Sequence, residues 1–272
     1  MRHLARVLCA VDIDTTGQRV FAHALAVARR SGARLQIVHA ARPDVPFNRD
    51  ATARVDYLSR LRSLAEAGGV ETRVSVQRGD PAGIVLLHAR ARAADLIVLG
   101  ATSTRRGLGS LAERVARQAP CPTLVVPPSA VGTPAYDNVL CAVDFSAASR
   151  EAARTALEMA DAGSRVILLH VAAGDDQAGD ALERLQPLMP VAAGRNGGVF
   201  ARVLTGMPVP EILRAARVAD AKLVVAGVRP RGGLARRLLG RTGLLLREAP
   251  CPILLVPAAA AGRQQHAPAR VA

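Results

Sequence analysis

Short apolar runs recur along the first half of the chain: VLCAV at 7–11, LQIVHA at 35–40, RVSVQ at 73–77, LIVLG at 96–100 and TLVVP at 123–127. Runs of this length, largely without polar breaks, predict strands covered on both faces, as in a parallel sheet. Between them the spacing turns helical. Val20, Phe21, Ala24, Leu25 and Ala28 make one apolar stripe, and Val55, Leu58, Leu61 and Leu64 predict a second helix over 51–68. Gly32 and Gly163 stand where C-terminal helix caps are expected. Alternating strand and helix from end to end predicts a doubly wound sheet with right-handed crossovers.

The same pattern then repeats. VLCAVD at 7–12 returns at 139–144, LQIVHA at 35–40 as VILLHV at 166–171, and Gly79-Asp80-Pro81 as Gly206-Met207-Pro208. LIVLG at 96–100 returns as LVVAG at 223–227, and Ala119-Pro120-Cys121-Pro122 as Ala249-Pro250-Cys251-Pro252. The order is kept and the offsets stay between 127 and 132. A period this long is a domain rather than a solenoid unit. The chain is therefore divided into domain 1 at 1–127, a Pro- and small-residue-rich linker at 128–137, domain 2 at 138–257, and an Ala-rich tail at 258–272 expected to be disordered. One difference separates the copies. The counterpart of the second helix, near 180–198, carries Pro187, Pro190 and a Gly-rich stretch, which predicts a shorter or broken helix.

The repeat also explains the four cysteines: Cys9 matches Cys141 and Cys121 matches Cys251. Each lies in or beside an apolar run, without CxxC spacing, so all are expected to be buried thiols in a reducing compartment and no metal site is expected. No run approaches the ~18 apolar residues of a membrane span, and the N-terminal run is too short for a secretory signal, so a cytoplasmic protein is expected. The formal charge of +14 divides into +9 over residues 1–135 and +5 over 136–272, with no basic arm. With aromatics at 2% and no Trp, stacking platforms for nucleic acid are excluded, and nucleic acid is not an expected partner.

In a doubly wound sheet ligands bind beyond the carboxyl ends of the strands where strand order reverses. The loops after the first and fourth strands are therefore the candidate site. After the first come Asp12-Ile13-Asp14-Thr15-Thr16 and Asp144-Phe145-Ser146; after the fourth come Gly100 to Ser110 and Gly227 to Thr242. The latter combine Gly, hydroxyls and Arg before a helix, which suits phosphate. Either Asp12 and Asp144 or Asp14 and Ser146 cap the helices that follow, and Ser110 with Glu113 also reads as a capping box. His39 and His170, equivalent strand-end residues, are expected to be buried and hydrogen-bonded.

These ordered motifs resemble the universal stress protein family, twice over, across about 7–127 and 138–257. The resemblance implies two tandem domains, each a five-stranded parallel sheet flanked by helices, packed as a pseudo-dimer through the fifth strands TLVVP and ILLVP. It further implies a stress-response regulatory or adaptation protein, not an enzyme, with adenine-nucleotide (ATP) binding in one branch. The phosphate loop of that branch reads G-x2-G-x9-G-[S/T]. Domain 1 keeps Gly100, Gly109 and Ser110 but has Ser103 at the second glycine and a spacing of only five residues. Domain 2 keeps Gly227 and Gly240 but has Pro230 and Arg241 at the other two positions. Asp12 and Asp144 match the nucleotide-contacting aspartate, Ala40 and Val171 the adenine side. The favoured site is thus Asp12, Ala40, Gly100, Ser103, Gly109 and Ser110, with Asp144, Val171, Gly227 and Gly240 as the weaker one. The competing reading is a module of the same fold that binds protein partners, or a second copy of itself, and no nucleotide. No HxGH, SGGxDS or GxxxxGK[ST] is present to support catalysis.

Overall fold

The apolar runs form ten strands in a computed structural model. It describes residues 4–41, 51–101, 111–130, 134–161, 163–174, 178–189, 197–228, 244–246 and 248–258. Domain 1 runs β1 (Arg6–Ala10), α1 (Thr15–Ser31), β2 (Arg34–Ala41), α2 (Ala51–Ala67), β3 (Thr72–Arg78), α3 (Pro81–Ala91), β4 (Leu96–Gly100), α4 (Leu111–Gln118) and β5 (Thr123–Val126). Domain 2 runs β6 (Asn138–Ala142), α5 (Ala147–Met159), β7 (Arg165–Ala172), α6 (Ala178–Leu185), β8 (Val199–Thr205), α7 (Pro208–Val218), β9 (Leu223–Val228) and β10 (Ile253–Pro257). The predicted tail, apart from Ala258, lies outside the described residues.

The ten strands among the described residues belong to one sheet, in the order β3-β2-β1-β4-β5-β10-β9-β6-β7-β8. Within each domain neighbours are parallel; at the centre β5 and β10 run antiparallel, with Leu124 opposite Leu254. The two domains therefore meet through their fifth strands as a pseudo-dimer, as the sequence resemblance implies. Strand residues alternate between two apolar layers: Val7 and Cys9 face one, Leu8 the other, and each layer runs through both domains. Residues such as Ile97, Leu124, Leu140 and Leu168 are fully buried, each contributing on the order of 1.5–3 kcal/mol of transfer free energy.

Two expectations need correction. In α2 the buried residues are Arg54, Leu58, Leu61 and Ala65, while Val55 and Leu64 are 60% and 51% exposed. The helix is rotated so that its small Ala65 packs closely and its outer apolar residues face water. Gly32 does cap α1 in the left-handed conformation, its N–H donating to the Ala28 carbonyl, but Gly163 caps nothing. Helix α5 stops earlier, at Met159 with an extended Ala160 as its cap, and Gly163 instead turns the chain into β7 at φ +82°. The asymmetry between second helices is as predicted: α2 has 17 residues, whereas α6 has 8 and passes into a 3-10 turn over Gln186–Leu188 that contains Pro187.

All four cysteines are buried, and none forms a disulfide among the described residues. Burial pushes the Cys141 and Cys251 thiols up to about 12, which keeps them unreactive as thiolates.

Candidate functional site

Strand order reverses between β1 and β4 in domain 1 and between β6 and β9 in domain 2. Ala10 lies beside Leu99 on one flank and Val38 on the other, so Asp12, Ala40 and Gly100 share one edge of the sheet. Asp144, Val171 and Gly227 share the corresponding edge of domain 2. Ser103, Gly109, Ser110 and Gly240 lie outside the described residues, as do Arg105, Arg106 and the arginines at 229–241.

The capping question resolves in favour of Asp14 and Ser146. Asp14 is extended and its Oδ1 accepts from the Gly17 N–H at 2.7 Å; Ser146 accepts from the Ser149 N–H at 3.2 Å. Asp12 is thereby released from capping. It is exposed at the strand end, and among the described residues its carboxylate accepts only a local bond, from the Ile13 N–H to Oδ1 at 2.9 Å. Asp144 is likewise exposed and accepts from the Ser146 N–H at 3.0 Å.

Gly17 brings the first turn of α1 directly over this corner: a Cβ there would fall 1.9 Å from the Asp12 carbonyl oxygen and 3.0 Å from the Tyr57 hydroxyl. Tyr57 reaches in from α2, and its hydroxyl is buried without a hydrogen-bond partner among the described residues. Burial, with Cys9, Asp14 and Asp12 nearby, pushes it up to about 12, so it stays a neutral donor. The sequence reading missed this residue. The signal available was that Tyr57 is one of only two tyrosines and lies on the second helix that domain 2 shortens.

Both histidines are hydrogen-bonded as expected, but only His39 is buried; His170 is half-buried. Nδ1 of His39 donates to the Val11 carbonyl at 3.0 Å and Nδ1 of His170 to the Val143 carbonyl at 2.8 Å. A carbonyl only accepts, which fixes the proton on Nδ1 in both. Each imidazole thus holds the end of the first strand of its domain.

The fourth-strand glycines differ in kind. A Cβ on Gly100 would meet only the side-chain methyls of Thr16 and Val20, at 3.1 and 3.3 Å. A Cβ on Gly227 would meet the Ala148 carbonyl carbon at 2.5 Å and the Ser149 nitrogen at 2.6 Å. Helix α5 therefore presses its backbone onto the end of β9, whereas α1 meets the end of β4 through side-chain methyls, in contacts that are also tight. Phe145 fills the equivalent corner further. It adopts φ +58°, its ring centroid lies 4.6 Å from that of His170, and the Arg184 guanidinium stacks 3.9 Å above it. Domain 1 has Ile13 at this position.

Beyond the loop, α4 is fixed to α3. Asp80 caps α3 by accepting from the Gly83 N–H and takes a two-pronged bond from Arg114, at 2.9 and 2.7 Å. The Arg114 guanidinium holds the Asp80 carboxyl below its ordinary value. Among the described residues no group of three or more His, Cys, Asp or Glu could hold a metal, and no helix is long and apolar enough to cross a membrane.

Comparison with known proteins gives one consistent result. The universal stress protein family model matches residues 3–127 and again 135–257. The chain is 34% identical over 136 residues to a universal stress protein of Thermus aquaticus, a match covering 44% of this chain and 96% of that protein. It is 41% identical over 73 residues to one from Methanocaldococcus jannaschii, covering 25% of this chain and 43% of the relative's length. In three dimensions it resembles the crystal structure of a universal stress protein from Archaeoglobus fulgidus, at a TM-score of 0.74 and 19% identity over 93% of this chain and 96% of that one. That likeness concerns the fold.

Proposed function

The chain belongs to the universal stress protein family, and from that premise we propose that it is a cytoplasmic stress-response adaptation protein that holds one adenine nucleotide in domain 1 without fast turnover. The observation that carries the reading is the division of labour between Asp14 and Asp12: the first caps α1, the second is left at the strand end with its carboxylate exposed. Asp12 accepts from the ribose hydroxyls, Ala40 lines the adenine side, and Gly100, Ser103, Gly109 and Ser110 follow the phosphates. The Tyr57 hydroxyl, without a hydrogen-bond partner among the described residues, supports a polar ligand at this corner. Domain 2 fits less well, because Phe145 and the α5 backbone fill the corner that Asp144, Val171, Gly227 and Gly240 would share.

A second reading, a module of the same fold that engages protein partners or a second copy without nucleotide, is favoured by Ser103 and Pro230 replacing loop glycines. We propose the boundaries 1–127, 128–137 and 138–257 for both readings. Titration calorimetry with ATP separates them. The nucleotide reading expects one ATP per chain and about tenfold or greater weakening in Asp12→Ala; absence of ATP binding overturns it in favour of the second, and an unchanged Asp12→Ala overturns the site assignment. Native mass spectrometry of the purified chain reports bound nucleotide and subunit number together.

A further inference from the structure

We propose a second anion site on domain 1, at the end of the sheet opposite the nucleotide corner, for a compact ligand carrying several closely spaced phosphate groups. A cavity of about 330 Å³ opens at the amino ends of β1, β2 and β3, lined by Arg6, Arg34, Arg73 and Arg92 together with Glu71. Four guanidiniums stand against one carboxylate, a net +3, and Glu71 is already engaged by Arg34 at 2.8 Å. Among the described residues no carboxylate lies within ion-pair distance of Arg6, Arg73 or Arg92.

The internal repeat supplies the control. Strand register and helix ends equate Arg6 with Asn138, Arg73 with Phe200 and Arg92 with Ala219. The same turn is built in both copies, down to a left-handed residue at Ala93 and at Asp220. Among the described residues domain 2 thus has one arginine here, Arg165, which stacks on Phe200 at 5.2 Å, and Lys222, the counterpart of Asp95, pairs with Asp220 at 2.7 Å. The structural duty of Arg6 is also visible. It donates to the Arg92 carbonyl at the end of α3, and Asn138 donates to the Ala219 carbonyl at the end of α7. An asparagine performs that duty, so the fold does not call for the charge. In domain 1 the same bond covers a helix carbonyl end that would otherwise repel an anion.

The ligand class follows from shape and composition. Guanidiniums suit phosphate through paired N–H donors. The cavity volume is that of a small-molecule site, and the absence of an aromatic in the lining gives no surface for a base. The arginines converge on one cavity rather than tracking along a polymer.

Calorimetry of the full chain with inorganic tripolyphosphate tests this, at about 20 mM and about 200 mM salt. Wild type is expected to bind, more weakly at the higher salt. The repeat-derived triple variant R6N/R73F/R92A is expected to lose at least about tenfold in affinity; Arg92→Ala alone, expected to lose a smaller factor, serves if the triple variant does not fold. Absence of binding at low salt, equal binding by the folded variant, or capture of a single-stranded RNA but not tripolyphosphate would each overturn the proposal.

Discussion

The hydroxyl of Tyr136, in the linker, lies 3.0 Å from Nδ1 of His23 on α1, and both residues are buried. The contact ties domain 1 to the segment leading into domain 2. Arg30 of α1 packs 4.8 Å from the same tyrosine ring and forms a two-pronged pair with Asp161, which also accepts from the Tyr136 N–H. Tyr136→Phe leaves a buried imidazole nitrogen without its partner and is expected to lower stability by ~1–3 kcal/mol. Tyr136→Ala also removes the ring and is expected to lose ~3–5 kcal/mol. Thermal and denaturant unfolding measure both; an unaltered midpoint in Tyr136→Ala contradicts the docking role.

The same histidine sets a pH dependence. Burial, with Arg30 close by, lowers His23 from its ordinary 6.5 to about 4. The folded state holds it neutral while the unfolded chain takes up a proton below 6.5. Its contribution is therefore complete above that value, is lost as the pH falls, and is fully gone below about 4. The lowering corresponds to ~3 kcal/mol. Unfolding free energies at pH 7, 5.5 and 4.5 are expected to decline more steeply in wild type than in His23→Gln; equal slopes rule the histidine out as their source.

Asp12 and Asp14 are two residues apart and are expected to part company on substitution. Asp14→Ala removes a helix cap and is expected to lower stability by ~1 kcal/mol, with ATP affinity affected far less. Asp12→Ala is expected to leave the melting temperature alone and to weaken ATP. Melting curves and calorimetry on the pair settle the assignment, and exchange of the two phenotypes refutes it.

Gly227 and Gly100 are expected to differ just as sharply. An alanine at Gly227 collides with the α5 backbone, so Gly227→Ala is expected to lose ~1–3 kcal/mol or more. At Gly100 the neighbours are methyl groups able to shift, and Gly100→Ala is expected to stay within ~1 kcal/mol in stability. Denaturant midpoints of the two variants decide this.

Much of the fold was legible because unbroken apolar runs and a repeated order leave few arrangements open. The central β5–β10 pairing was expected from family resemblance rather than from any residue pattern. Helix α2 shows where periodicity ran out: Val55 and Leu64 obey the spacing yet face water, because orientation about a helix axis is set by what packs against it. Tyr136 was read as linker and Tyr57 as an ordinary helix residue. Both owe their roles to partners distant in sequence, His23 for one and the Asp12–Gly17 turn for the other. The capping pair was ambiguous for a different reason, since aspartates two residues apart satisfy the same local rule until the helix start is known.

The antiparallel seam between β5 and β10 has an evolutionary consequence. Two copies joined by a short tether meet at an effective concentration no dissociating pair sustains, so the association no longer depends on both copies being alike. Selection on one half is released from selection on the other. Domain 2 can pack Phe145 into its corner and domain 1 can gather arginines at its far end, while the seam that needs both halves stays intact.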